Sequence, residues 1–150
     1  YKKDLAKRTN PNRIEGDVMV ALTDADVVIG VSGPGTIAQA HIKQMAKDPI
    51  VFALANPIPE IMPGDAKRAG AVVVATGRSD FPNQVNNSLA FPGVFRGALN
   101  NKVSVITDDM KLAAAKKIAG LVKKPTVQEI VPSVTTPNLV KMVASVIKDK

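Results

Sequence analysis

The sequence predicts an α/β fold, organised as a Rossmann-like, doubly wound parallel sheet. Three apolar runs of strand length, at residues 27–31, 50–55 and 72–75, alternate with helical patterns. This alternation is the βαβ signature, in which right-handed crossovers make successive strands parallel. Aromatic residues make up only 3% of the chain. The core must therefore be aliphatic, as is typical of parallel sheets covered by helices.

The first elements lie around the strand at 27–31. Residues 1–7 are charged and predict the end of a helix or a charged loop, and 9–12 predict a turn. Residues 17–22 predict a short helix before the strand. The turn Ser32-Gly33-Pro34-Gly35 then leads into a helix over about 36–46. Four of its residues can face inward at helical spacing: Ile37, Ala40, Ile42 and Met45.

The second and third strands are bounded by proline and glycine. Asn56-Pro57-Ile58-Pro59 ends the second strand, because proline cannot donate to a sheet ladder. A short helix over 63–70 has Pro63 at its start and Gly70 past its end, the expected asymmetry. After Asn87 the pattern turns helical. It predicts helices over 88–99, 107–122 and 138–147, the second of them with Thr107 as N-cap.

Composition excludes several classes of protein. The chain has 150 residues, enough for one domain with a real core, and its lack of cysteine excludes disulfides and thiolate metal sites. Its apolar runs are far shorter than the roughly 20 residues of a membrane span. No signal peptide pattern follows residue 1. These features predict a soluble, cytoplasmic protein with no membrane partner.

The net charge of +7 does not indicate a nucleic-acid partner. The lysines occur as scattered pairs, and the chain lacks the basic stripe interleaved with aromatic residues that follows a phosphate backbone. A positive field instead favours small anionic substrates.

The segment at 76–87 carries the clearest functional signal. It is polar and rich in carboxamides, and it leaves a buried strand at the carboxyl end, where parallel sheets hold ligands. The dinucleotide motif G-x-G-x-x-G is missing, since Gly30, Gly33 and Gly35 give G-x-x-G-x-G. We therefore interpret residues 1–100 as the second half of a dinucleotide-binding domain, lacking its first βαβ unit. Residues 101–150 are interpreted as a C-terminal helical extension packed on the same domain.

Four consecutive blocks of sequence closely resemble the bacterial-type malic enzymes. They are DVVIGVSGPG at 26–35, DPIVFALANPIPEI at 48–61, ATGRSDFPNQVNN at 75–87 and FPGVFRGA at 91–98. Members of that family oxidise malate with NAD or NADP and decarboxylate the product to pyruvate, using Mg²⁺ or Mn²⁺. The resemblance implies that this chain is a fragment of such an enzyme, whose other partner is its own remaining N-terminal part. It also implies a homodimer.

The resemblance assigns roles to residues of three turns. It implies that Ser32, Gly33, Asn56 and Asn86 contact the cofactor, and that Asn56, Asn86 and Asn87 contact malate. The Lys, Tyr and carboxylates that move protons and hold the metal in the family match nothing here. The chain is therefore expected to hold no catalytic residue and no metal ligand, and to be inactive by itself.

Other interpretations of these residues stand beside this one. The asparagines can be simple turn residues, and Gly33 can serve packing alone. Arg78 can hold a carboxylate or pair with Asp80 and only shape its loop. Gly93 and Gly97 indicate close helix packing, and His41 indicates a structural role.

Two other functions stay open at this point. One is a malolactic or other 2-hydroxy-acid enzyme on the same scaffold. The other is a stand-alone nucleotide-binding regulatory module.

Overall fold

A computed structural model describes residues 1–149 of the chain. Its sheet has three parallel strands in chain order: β1 (Val27–Gly30), β2 (Ile50–Ala53) and β3 (Val73–Thr76). In their register Val28 pairs with Val51, and Val51 pairs with Val74. The predicted α/β fold with parallel strands is confirmed.

The first core lies between the sheet and the helices of the N-terminal half. These helices are α1 (Lys2–Thr9), α2 (Val18–Leu22), α3 (Gln39–Lys43) and α4 (Pro63–Arg68). Only α1 buries no residue, so the charged start of the chain forms an exposed helix. The core cluster contains the paired valines of all three strands. Its members are Leu22, Val28, Ile37, Ile42, Met45, Val51, Ala53, Ile61, Ala66, Ala69, Ala71 and Val74.

A second core forms among the later helices. A short 3-10 helix (Asn87–Leu89) precedes α5 (Phe91–Asn100), α6 (Asp108–Ala119) and α7 (Leu139–Ala144). Their buried cluster consists of Leu89, Met110, Ala114, Leu139, Val143 and Ile147.

Helices α5 and α7 approach each other at two glycines. A Cβ atom added at Gly93 would lie 2.5 Å from Val143 Cβ, and one added at Gly97 would lie 2.6 Å from the Ala144 carbonyl oxygen. Real Cβ atoms essentially never come so close, so only glycine permits this contact. The predicted packing role of Gly93 and Gly97 is confirmed.

Helix α3 is shorter than predicted at both ends, because residues 36–38 belong to the preceding loop and the helix ends at Lys43 rather than near residue 46. The Thr36 hydroxyl donates to the Gly33 carbonyl at 2.9 Å, and the Ile37 N–H donates to the Glu60 carbonyl at 3.2 Å. These two bonds hold residues 36 and 37 in the loop that precedes the helix. Ala40, predicted to face inward, is exposed.

Helices α6 and α7 also end earlier than predicted. Past Ala119 and past Ala144 the backbone changes to bonds between residues three apart, such as Leu121 N–H to the Ile118 carbonyl and Ile147 N–H to the Ala144 carbonyl. Tightening of the last turn in this way is common at helix ends. Within residues 1–149, no helix is long and apolar enough to cross a membrane.

Candidate functional site

Three loops leave the same edge of the sheet. Because the strands are parallel neighbours, their carboxyl ends lie side by side, and ligands of such sheets bind outside that edge. Ser32 and Gly33 follow β1, Asn56 follows β2, and residues 77–87 follow β3. All the predicted contact residues therefore lie in loops that leave this one edge of the sheet.

Arg78 shapes the loop after β3. Its Nε and Nη2 donate to the two carboxylate oxygens of Asp80 at 2.8 and 2.7 Å, and its guanidinium lies 5.4 Å from the centre of the Phe81 ring. Hydrogen bonds from Arg78 hold the pKa of the Asp80 carboxyl below its ordinary value. Of the two roles considered for Arg78, the structure shows pairing with Asp80.

The same arginine joins two of the loops. Its Nη1 donates to the Pro57 carbonyl at 3.3 Å, so the loop after β3 is tied to the loop after β2. The Asn56–Pro57 peptide bond is cis. The Asn56 side chain is exposed and forms no hydrogen bond within residues 1–149. It is therefore available to a ligand.

Asn86 and Asn87 differ in their surroundings. The Asn86 amide donates to the Gly77 carbonyl at 3.0 Å and accepts from the Ser88 N–H at 3.0 Å, which caps the 3-10 helix. Asn87 is exposed, and its side chain has no hydrogen-bond partner in the described part of the chain. Asn86 thus orders the turn that presents Asn87, and it retains one N–H and one lone pair.

The turn after β1 is open above Gly33. A Cβ atom added at Gly33 would meet no other atom within 4 Å, so packing inside the described chain does not require glycine there. Gly35 differs, because its φ of +70° favours glycine by itself. The Ser32 Oγ lies 2.9 Å from Thr36 Oγ1 and donates to Glu60 Oε1 at 3.2 Å. The open space can admit a ligand close to the backbone.

Sequence reasoning gave Glu60 no role, yet it is fully buried beneath this edge, with 0% of its surface exposed. Its carboxylate accepts from the Ser32 N–H at 2.7 Å and from the Ala55 N–H at 3.0 Å. Burial raises the pKa of Glu60, whereas the hydrogen bonds lower it. Together the hydrogen bonds outweigh burial, so the pKa lies below its ordinary value. The available signal was an acidic residue placed directly before the apolar pair Ile61-Met62.

Asn83 is a second buried polar residue that was not predicted. Its Nδ2 donates to the carbonyls of Val74 and Val127 at 3.1 and 2.9 Å, and its Oδ1 accepts from the Ile130 N–H at 2.9 Å. We name these three bonds the Asn83 latch. The latch fastens the loop after β3 to residues 127–130. Its only sequence signal was one more amide in an amide-rich loop.

Other candidate groups are structural or lie elsewhere. His41 Nδ1 accepts from the Ala38 N–H at 3.1 Å at the start of α3, which gives it the predicted structural role. Across residues 1–149, no group of three or more His, Cys, Asp or Glu side chains could hold a metal ion.

A cavity of about 350 Å³ adjoins the site between residues 35–39 and 58–62. A larger one, about 710 Å³, lies between α5 and α7 and contains none of the predicted contact residues.

The chain is similar to malic enzymes in sequence. Residues 2–148 match the family model described as malic enzyme, NAD binding domain. The bifunctional malic/malolactic enzyme of Bacillus subtilis is 57% identical over 82% of the chain, and the NAD-dependent malic enzyme of Geobacillus stearothermophilus is 49% identical over 95%. The chain spans 30% of the length of each. The NADP-dependent malic enzyme of Halomonas elongata is 47% identical over 85% of the chain, which spans 28% of it.

Solved structures agree with this similarity. The NAD-dependent malic enzyme of Thermotoga maritima superposes with a TM-score of 0.92 at 45% identity, over 97% of this chain and 38% of that one. The family match over residues 2–148 covers all three loops of the site. The chain belongs to the malic enzyme family, as part of its NAD-binding domain.

Proposed function

We propose that this chain forms the cofactor side of the active site of a malic enzyme that converts malate to pyruvate while reducing NAD or NADP. The main support for this proposal is that three of the four blocks that resemble the family, 26–35, 48–61 and 75–87, contribute loops to one sheet edge, and that Glu60 and Arg78 connect these loops. The relatives named above include NAD- and NADP-dependent malic enzymes, which supports either cofactor.

The residues at this edge fit a nicotinamide dinucleotide and a dicarboxylate. Gly33 leaves its backbone open to close approach, and Ser32 brings a hydroxyl to the same turn. Asn56 and Asn87 offer amides that have no hydrogen-bond partner within residues 1–149, and such amides can donate to a carboxylate and accept from a hydroxyl without adding charge. We assign Ser32, Gly33, Asn56 and Asn86 to the cofactor, and Asn56, Asn86 and Asn87 to malate.

The chemical step needs groups beyond those assigned here. A dinucleotide held by Ser32, Gly33, Asn56 and Asn86 would supply the hydride acceptor, and Mg²⁺ or Mn²⁺ would supply a Lewis acid for the substrate carbonyl. Base, acid and metal ligands are proposed to come from the N-terminal remainder of the enzyme. The role of this chain is to orient malate against the nicotinamide, a contribution of position rather than proton transfer.

The test is an assay of the full-length parent protein with malate, Mn²⁺ and either NAD or NADP. We expect reduced cofactor and pyruvate to form together. An Asn87→Ala variant should lower kcat/KM for malate by about tenfold to a hundredfold, because a hydrogen bond to a charged group is worth about 1.5 to 3 kcal/mol.

Asn12→Ala is the matched control, since Asn12 lies in an exposed turn after α1 and belongs to none of the three loops of the site. It should leave kcat/KM unchanged. Absence of malate-dependent cofactor reduction would overturn the proposal, as would an Asn87→Ala variant with full activity. Lactate in place of pyruvate would instead identify the malolactic reaction.

Three broader features belong to the same proposal. Residues 1–100 are proposed as the second half of the dinucleotide-binding domain, with 101–150 as an extension, and the α5–α7 contact supports this by joining the two. We further propose a homodimer. We propose the cytoplasm as its compartment. A chain without cysteine forms no disulfides and therefore needs no oxidising environment.

A further inference from the structure

Glu60 holds two of the three loops with one carboxylate. Oε1 accepts from the Ser32 N–H at 2.7 Å and from the Ser32 hydroxyl at 3.2 Å, while Oε2 accepts from the Ala55 N–H at 3.0 Å. Ser32 follows β1 and Ala55 directly precedes Asn56. The two oxygens therefore connect the two turns that flank the β1–β2 edge.

The surroundings of Glu60 are shaped for a carboxylate. A Cβ atom added at Gly30 would lie 2.7 Å from Glu60 Cδ and 2.9 Å from its Oε1, so the strand leaves room for this side chain through a glycine. No cation of residues 1–149 forms an ion pair with Glu60. Its charge is balanced by N–H and O–H donors alone, an arrangement that favours the ionised form.

Only a group that accepts on both sides can make this connection. A glutamine at position 60 would place an NH₂ group against one of the two backbone N–H groups, because an amide has a single acceptor oxygen. An apolar residue would leave both N–H groups, which lie in partly buried surroundings, without these partners. The bridge thus depends on the carboxylate rather than on the size of the side chain.

We propose that Glu60 is a positioning residue for the dinucleotide site, setting the separation between the Ser32–Gly33 turn and the Asn56 turn. This inference rests on the proposed function, which assigns both turns to the cofactor. Glu60 is wholly buried, so it acts through Ser32 and Ala55 rather than on the ligand. Without the hydrogen bonds to Glu60, nothing in this carboxylate fixes the distance between the two turns.

The experiment uses the full-length parent protein and its Glu60→Gln variant. Calorimetric titration with NAD and NADP, without malate, gives the dissociation constant, and hydrogen exchange reports the backbone amides. We expect the dissociation constant to rise about tenfold, or about 1.4 kcal/mol. Exchange should accelerate at Ser32 and at Ala55 together, while kcat at saturating cofactor changes less than KM for the cofactor.

Gly30→Ala provides a second route to the same change. Its new methyl group meets the Glu60 side chain and should displace the carboxylate while residue 60 stays Glu. We expect the same paired acceleration of exchange and a similar loss of cofactor affinity. This variant keeps the inference testable if Glu60→Gln fails to fold.

Val51→Ala serves as the stability control, because Val51 is fully buried within β2 and belongs to neither turn. It should lower stability while leaving the dissociation constant for the cofactor unchanged. Unchanged cofactor affinity in both Glu60→Gln and Gly30→Ala would overturn the inference, as would equal affinity losses in Val51→Ala. The cofactor titration and the hydrogen exchange need no malate. If the parent protein binds cofactor but fails the malate assay, that failure counts against the proposed function and leaves the role of Glu60 standing.

Discussion

Buried polar side chains control the shape of the candidate site. Glu60 and Asn83 are 0% and 6% exposed, and each joins segments that are distant in the sequence. Their burial could not be predicted, because local sequence does not reveal which loops will fold over a given polar residue. The exposed residues Asn56 and Asn87 were predictable, since they follow strands that the apolar pattern locates.

The Asn83 latch should be sensitive to the replacement of Asn83 by aspartate. Asn83→Asp keeps the shape of the side chain and tolerates the positive φ of 56° at this position. A carboxylate cannot donate to the carbonyls of Val74 and Val127, so we expect the free energy of unfolding to fall by at least about 2 kcal/mol. Urea unfolding of the parent protein measures this.

Asn12→Asp, at an exposed turn, makes the same chemical change outside the latch. It should alter stability by less than about 0.5 kcal/mol. Equal effects of the two variants would show that the latch contributes nothing.

Glu60 should make stability depend on pH in the acid range. Its pKa in the folded protein lies below the ordinary value of 4.5, so its contribution is fully present above that value and is lost as the pH falls through the lowered pKa. We expect the stability difference between wild type and Glu60→Gln to be constant from about pH 7 to about pH 5 and to shrink below about pH 4.5. Urea midpoints across this range test it, and a difference that persists unchanged to about pH 3 contradicts it.

At the scale of elements, the order of strands and helices was easier to predict than the residues at which the helices begin and end. The three strands and the later helices follow from apolar runs, caps and prolines, and the structure contains them in the predicted order. The predicted ends of α3, α6 and α7 were wrong by up to three residues. Loop bonds such as Ile37 N–H to the Glu60 carbonyl decide where a helix begins, and they depend on a segment more than 20 residues away in the chain.

The α5–α7 contact should not tolerate a side chain at Gly97. In Gly97→Ala the added methyl would lie 2.6 Å from the Ala144 carbonyl oxygen and 2.7 Å from Ile147 Cβ, so the helices must separate. Overpacking of this kind costs about 1 to 3 kcal/mol. Thermal unfolding of the parent protein should show the corresponding fall in Tm.

Gly64→Ala offers a control within another helix, α4. A Cβ atom added at Gly64 would have one near neighbour, the Nη1 atom of the flexible Arg68 side chain, at 3.4 Å. Because alanine is the better helix former by up to about 1 kcal/mol, this variant should be neutral or more stable. A Gly97→Ala protein as stable as Gly64→Ala would refute the close-packing argument.

At the scale of the whole molecule, β1 leaves an apolar face uncovered. Val27, Ile29 and Val31 are 44%, 64% and 79% exposed, although all three belong to a β-branched run. Within residues 1–149, β2 is the only strand that pairs with β1. Together with the 30% share of the relatives' length, this face fits the proposal that an N-terminal remainder of the enzyme completes the site.

The chain alone should therefore bind cofactor poorly. In calorimetry, residues 1–150 should bind NAD and NADP with a dissociation constant no tighter than about 1 mM, because they supply only part of the proposed site. Circular dichroism must first establish that the isolated chain is folded. Micromolar binding by the folded isolated chain would favour the stand-alone regulatory module instead.

The Asn83 latch also has a consequence for the order of events during synthesis. Asn83 and Ile130 are 47 residues apart, and a ribosome adds about 5 to 20 residues per second, so roughly 2 to 9 s separate the appearance of the two partners. The loop that presents Asn87 is thus translated well before the segment that fastens it. The bonds of Asn83 with Val127 and Ile130 can therefore form only after residues 127–130 have been synthesised.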